Sequence, residues 1–187
     1  GAVGDVRLVK ADLCFRAGWN PQSRLLNPAL GGGALLDVGV YTVAWASMLL
    51  GPKPVKMAGL AHIGETGVDE QAAMVLQYEQ GRLAVLCCAV RTSAPHESLI
   101  VGTEGSLRVH HPFWHASRVT LAQPGKPEQV LDLPYEHNGY QYEAAEVMRC
   151  MREGRTESDV ISLDETVSIA KLLDRIRGRW NLKYPME

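Results

Sequence analysis

Asp37 and Tyr41 stand four residues apart, in a stretch from Leu35 to Leu50 that carries neither proline nor a turn cluster. On a helix that spacing stacks the acid and the phenol on one face, one turn apart, with Ala44 and Trp45 continuing the stripe. Together they could move a proton. Tyr41 would give or take it at a substrate hydroxyl, and Asp37 would orient that hydroxyl by accepting a hydrogen bond. A phenol titrates near 10 in water, so this work at neutral pH calls for a cation nearby. The same residues also have an ordinary structural use, because an acid in a first turn complements the helix dipole and a tyrosine is commonly half-buried.

A second group is His110-His111-Pro112-Phe113-Trp114-His115. Three histidines in six residues could hold a metal, but Pro112 prevents a regular helix and no nearby carboxylate completes a ligand set. No metal site is expected, and a surface or pocket-rim loop follows. Trp114 then serves either as a pocket wall or as a lid on the core. The cysteines at 14, 87, 88 and 150 have no CxxC spacing, and adjacent Cys87 and Cys88 would point to opposite faces of a strand, so they read as small buried apolar groups.

The elements that must position these residues are mostly strands. Val6–Phe15 alternates partly, and Val55–Ile63, Gln71–Tyr78, Arg82–Val90, Ser98–Val101, Ser106–Val109, Ser117–Leu121 and Gln129–Leu133 follow between Gly and Pro joints. Glu79-Gln80-Gly81 and Gly102-Thr103-Glu104-Gly105 read as hairpin connections. Leu83 to Val90 is apolar on both faces, which predicts a central strand with one face under a helix and the other covered by something else, such as a second subunit. A helix of about four turns is expected from Leu35 to Gly51-Pro52, introduced by Gly31-Gly32-Gly33. Ala144, Val147, Met148 and Met151 give Tyr140–Glu153 a helical stripe, and Ser162 with Glu165 makes a capping box for a last helix to about Arg177. The fold class is α+β, a mainly antiparallel sheet with a few helices.

The chain has 187 residues, 46% hydrophobic and 21% charged, with 19 Lys+Arg against 21 Asp+Glu. That is one domain with a sizeable core. The charge balance lacks the positive excess of a nucleic-acid binder. The apolar runs are broken before the roughly 20 residues a bilayer needs and no signal peptide opens the chain, so a cytoplasmic protein is expected. Neither GxGxxG nor GxxxxGK[ST] occurs, nor HExxH, GxSxG or an EF-hand, so no nucleotide-phosphate cradle of the known kinds can form here. The triple glycine instead suggests close backbone approach or a flexible start to a helix.

Gly31-Gly32-Gly33-Ala34-Leu35-Leu36-Asp37-Val38-Gly39-Val40-Tyr41 resembles the signature of the second domain of the Gfo/Idh/MocA oxidoreductases. The opening Gly1-Ala2-Val3-Gly4-Asp5-Val6-Arg7 is similar to that family too. So are Gly64-Glu65-Thr66-Gly67-Val68-Asp69-Glu70, Gly102-Thr103-Glu104-Gly105-Ser106-Leu107 and Gly139-Tyr140-Gln141-Tyr142-Glu143-Ala144. The resemblance spans essentially the whole chain and is nearest to the dimeric dihydrodiol dehydrogenase and sugar dehydrogenase branch, since other branches carry His where Tyr41 stands. It implies an open-faced antiparallel sheet of the glyceraldehyde-3-phosphate-dehydrogenase-like kind, forming a homodimer through its exposed face. It also implies NAD- or NADP-dependent hydride transfer to or from a sugar, polyol or diol. By the same resemblance Tyr41 is the acid/base, Asp37 its substrate-holding neighbour, and Phe15, Trp114 and Tyr135 line an aromatic pocket. The family's N-terminal Rossmann domain, with its cofactor site and the Lys of a Glu-Lys-Pro motif, is absent from these residues, so no cofactor-binding residue is expected in this chain and alone it should not turn over. Residues 1–187 therefore read as a substrate-binding and dimerisation domain. A free-standing oligomerisation or binding module, and a relative using the cofactor transiently to cleave glycosides, are the alternatives.

Overall fold

The computed structural model describes residues 1–187. Alternation decides which side chains are buried: in Asp69–Gln77 (β3) Ala72, Met74 and Leu76 are covered while Gln71, Ala73 and Val75 are exposed. With Val6–Cys14 (β1), Lys56–Ile63 (β2), Leu83–Ala89 (β4), Ser98–Gly102 (β5), Ser106–Val109 (β6), Arg118–Ala122 (β7) and Gln129–Asp132 (β8), it forms one eight-stranded sheet in the order β2-β3-β4-β1-β5-β6-β7-β8. Every pairing is antiparallel except β1 with β4. The compact links at Glu79–Gly81 and 103–105 do connect antiparallel neighbours.

One side of the sheet is roofed. Val40–Leu50 (α1) lies on β1 and β4, Tyr140–Arg152 (α2) follows the sheet in the chain, and Leu163–Gly178 (α3) packs against α1 and β2. Val9, Met74, Leu76 and Leu86 are sealed beneath them; full burial of one such side chain is worth about 1.5–3 kcal/mol. Ser162 caps α3 by accepting from Glu165 N at 3.1 Å, and Ser47 of α1 donates to the Glu165 carboxylate at 2.6 Å. The capping box thus also ties α3 to α1. The other side of the sheet is bare. Leu60, Val75 and Leu83 are exposed there at 82%, 41% and 36%, so within the chain β4 is covered on one face alone.

Two expectations change. The run Leu35–Leu50 is not one regular helix: Leu35–Gly39 is a single π turn, and α1 proper begins at Val40. And an 18-residue window within Pro28–Leu50 reaches mean hydropathy 1.5, enough to suit a bilayer by composition, though 56% of that window is buried as the roof of the sheet.

Candidate functional site

The site begins at the triple glycine. Gly31 and Gly33 hold φ of +70° and +118°, values that an L side chain resists. A Cβ on Gly32 would lie 2.9 Å from the Asn27 backbone and 3.0 Å from the Arg24 carbonyl, and one on Gly33 would collide with the Asp69 carboxylate. The glycines are thus a saddle on which the turn at 23–27 rides, held by Gly32 N donating to Asn27 O and Gly33 N to Leu25 O. Asp69, fully buried, accepts from Leu35 N at 2.7 Å and so caps the π turn from the neighbouring strand. Burial pushes its pKa up to about 6, against the lowering effect of that backbone hydrogen bond. Gly39 then meets Cys88 of β4, where a Cβ would sit 3.0 Å from the sulfur. A glycine here lets the helix settle onto the sheet.

This saddle brings Arg24 onto Asp37. The guanidinium donates to Asp37 Oδ1, and its own pKa is raised by that carboxylate and, to a smaller extent, by Tyr41. A cation therefore stands against Asp37, four residues along the chain from Tyr41. Asp37 keeps only 15% of its side chain exposed, whereas Tyr41 is half-exposed.

Tyr41 projects into a cavity of about 910 Å³ on the roofed side of the sheet, beside α1 and over β5, β6 and β7. Its walls are Trp45, Phe113, Trp114 and Tyr135, with Ile100, Leu107 and Val109 as the floor. Trp114 faces Tyr41 at 6.4 Å between ring centroids and meets Phe113 edge-on at 5.4 Å. Trp45 is pinned by donating to Ser98 Oγ at 2.7 Å. At the far wall the Tyr135 hydroxyl bonds the His115 ring, whose Nε2 lies 2.9 Å from Asn138 O. The space thus has an apolar body with polar groups at both ends.

Of the residues singled out from sequence, Tyr41, Trp114 and Tyr135 share this cavity. Asp37 is joined to them through Tyr41's turn without lining it. Phe15 is not brought in: its ring packs partly buried against the core just after β1, where its N–H donates to Ala89 O. His115 lies at the cavity as part of the loop read as a surface or pocket rim, whereas Arg24, Tyr140 and Tyr142 were not singled out. Arg24 stands on a loop thirteen residues from its partner, and the two tyrosines come from a helix end that periodicity does not place. The loop histidines diverge, His110 to Thr120, His111 to Pro95 O and His115 to Asn138 O, and no group of three His, Cys, Asp or Glu side chains is placed to share a metal ion.

The turn that follows the triple glycine is closed to a pyrophosphate, which needs free N–H groups at a helix start: it is buried at Ala34 and Leu35, and Leu35 N already donates to the Asp69 carboxylate.

The model of the GFO/IDH/MocA C-terminal domain matches residues 1–108. Trans-1,2-dihydrobenzene-1,2-diol dehydrogenases are among the relatives: that of Danio rerio is 35% identical over 100% of this chain and 57% of its own length, that of Homo sapiens 30% over 100% and 57%. The chain belongs to the GFO/IDH/MocA family, whose C-terminal domain it forms, and it spans 57% of the length of these curated relatives. Among solved structures, aldose-aldose oxidoreductase from Caulobacter crescentus, complexed with glycerol, superposes with a TM-score of 0.82 at 23% identity, over 95% of this chain and 54% of that one. A 3-ketoreductase from Actinomadura kijaniata, in complex with NADP and TDP-benzene, superposes with 0.79 at 22% identity over 95% and 55%. These two share the fold.

Proposed function

We propose that this chain is the substrate-binding domain of an NAD(P)-dependent oxidoreductase acting on a hydroxyl-bearing carbon of a sugar, polyol or diol, with the cofactor held by residues outside it. The observation that carries the reading is Tyr41, half-exposed in an aromatic-walled cavity and backed by the Arg24–Asp37 pair. Tyr41 exchanges a proton with the substrate hydroxyl. Asp37, held by Arg24 and outside the cavity lining, supports the turn that carries Tyr41. Trp45, Phe113 and Trp114 enclose the carbon frame and exclude water. The names of the relatives and of the solved neighbours, a diol dehydrogenase, an aldose oxidoreductase and a ketoreductase, agree with this class. A second copy of the chain on the bare sheet face, over Leu60, Val75 and Leu83, is the homodimer we propose with it.

The test is Tyr41→Phe in the protein expressed together with its cofactor-holding part. The expected result is a kcat lower by about 10²-fold or more with the melting temperature kept. Unchanged turnover would sink the role of Tyr41.

A further inference from the structure

The far wall of the Tyr41 cavity carries a hydrogen-bonded pair that proton transfer at Tyr41 does not use. Tyr135 and His115 both line the space, and their rings meet edge-on at 4.5 Å between centroids. The next loop closes over the imidazole: Nε2 lies 2.9 Å from Asn138 O, and a Cβ on Gly139 would sit 3.6 Å from the ring. These contacts fix where the protons are. A backbone carbonyl can only accept, so Nε2 carries the proton and donates it to Asn138 O. Nδ1 of the neutral ring is then an acceptor, and it takes the proton of the Tyr135 hydroxyl. The other acceptor beside that hydroxyl, the His115 carbonyl at 3.0 Å, would take the same proton. By either route the phenol commits its single donor inside the protein, and its oxygen keeps lone pairs for a donor arriving from the cavity.

The charges of the lining narrow what that donor belongs to. No lysine or arginine lines the cavity, and its one carboxylate is Glu143. A phosphorylated or carboxylate-bearing substrate would find no cation to pair with. We propose that Tyr135, oriented by His115, is a specificity-determining residue: its oxygen accepts a hydrogen bond from a second hydroxyl of an uncharged substrate whose first hydroxyl meets Tyr41. The inference rests on the reading of this cavity as the substrate space of an oxidoreductase. It narrows the substrate to neutral compounds with at least two free hydroxyls, their carbon frame lying against Trp114 between the two polar ends. A group that only accepts, such as an ether oxygen, does not satisfy the far wall, because two sets of lone pairs would face each other.

The experiment is steady-state oxidation by the protein from the complete reading frame, with NAD+ or NADP+. The probes are cyclohexanol, the cyclohexane-1,2-, 1,3- and 1,4-diols, and the monomethyl ethers of those diols. The series makes the second group absent, a donor, or an acceptor alone. At least one diol should exceed both cyclohexanol and its own monomethyl ether by about tenfold in kcat/KM, on the scale of one hydrogen bond. Tyr135→Phe, which keeps the ring and removes the oxygen, should abolish that ratio chiefly through KM, with the melting temperature kept. His115→Phe, which keeps the edge-on packing and removes the anchor of the hydroxyl, should lower the ratio in part. A ratio retained in Tyr135→Phe overturns the inference. So does a monomethyl ether that serves as well as its diol, which would make the far wall a donor. Turnover without preference for any diol sinks the role of Tyr135 alone; no oxidation of any probe sinks the oxidoreductase reading and this inference with it.

Discussion

On the roofed side of the sheet, strands β1, β2 and β4 lie under α1 and α3 and β3 beneath the π turn, whereas β5 to β7 face an aromatic-walled space and β8 is exposed along its whole length. The first half seals Val9, Met74, Leu76 and Leu86 into the core. The second half shapes a surface and leaves it unfilled, with Trp114, Tyr140 and Tyr142 partly in solvent. Stability and recognition are therefore separated along one sheet, and α1 joins them by burying Val43 and Ala46 on one side and presenting Tyr41 on the other.

The sharpest way to break this comparison is a pair of truncations. Leu86→Ala, in the sealed half, should lower the unfolding free energy by about 2–5 kcal/mol. Val130→Ala on β8 should change it by no more than about 0.5 kcal/mol. Equal losses in urea melts would show that the two halves share one core.

Asp69 gives a pH test of the same division. Its folded pKa, about 6, stands above the ordinary 3.8, so ionisation works against the folded state. Its stabilising effect is complete below about pH 4 and declines as pH rises to 6, by up to about 3 kcal/mol for the roughly two-unit shift. Asp69→Asn, which keeps an acceptor for Leu35 N, should flatten that fall in denaturant melts between pH 4 and 6. An unaltered slope would mean that another group is responsible.

Smaller, and confined to the second half, is Trp114→Ala. Removal of one cavity wall should raise the substrate KM by about tenfold, on the scale of a lost apolar contact, with little change in melting temperature. A large loss of stability instead would make Trp114 a lid on the core.

Much of this fold was legible in the residues. Gly and Pro punctuation placed all eight strands, and Ser162 with Glu165 marked the start of α3. Illegible features came from pairings distant in sequence. The parallel register of Leu8 with Leu83, the cap that Asp69 gives Leu35 and the grip of Arg24 on Asp37 each depend on chain paths that local periodicity does not encode. The π turn lies between one of these, the Asp69 cap at its start, and the close approach of Gly39 to Cys88 at its end. The stripe of α2 was visible, but spacing alone reports that a face is apolar and not what meets it. Of the site, Tyr41, Trp114 and Tyr135 converge, while Phe15 lies outside the cavity, partly buried against the core.

The central claim, that this chain holds substrate and leaves the cofactor to another domain, is tested most directly by calorimetric titration with NADH and NADPH of this chain and of the protein from the complete reading frame. The account predicts binding by the longer protein and none by residues 1–187. Tight binding by the shorter chain would contradict it, and would place a nucleotide site in this chain away from the turn that Asp69 caps.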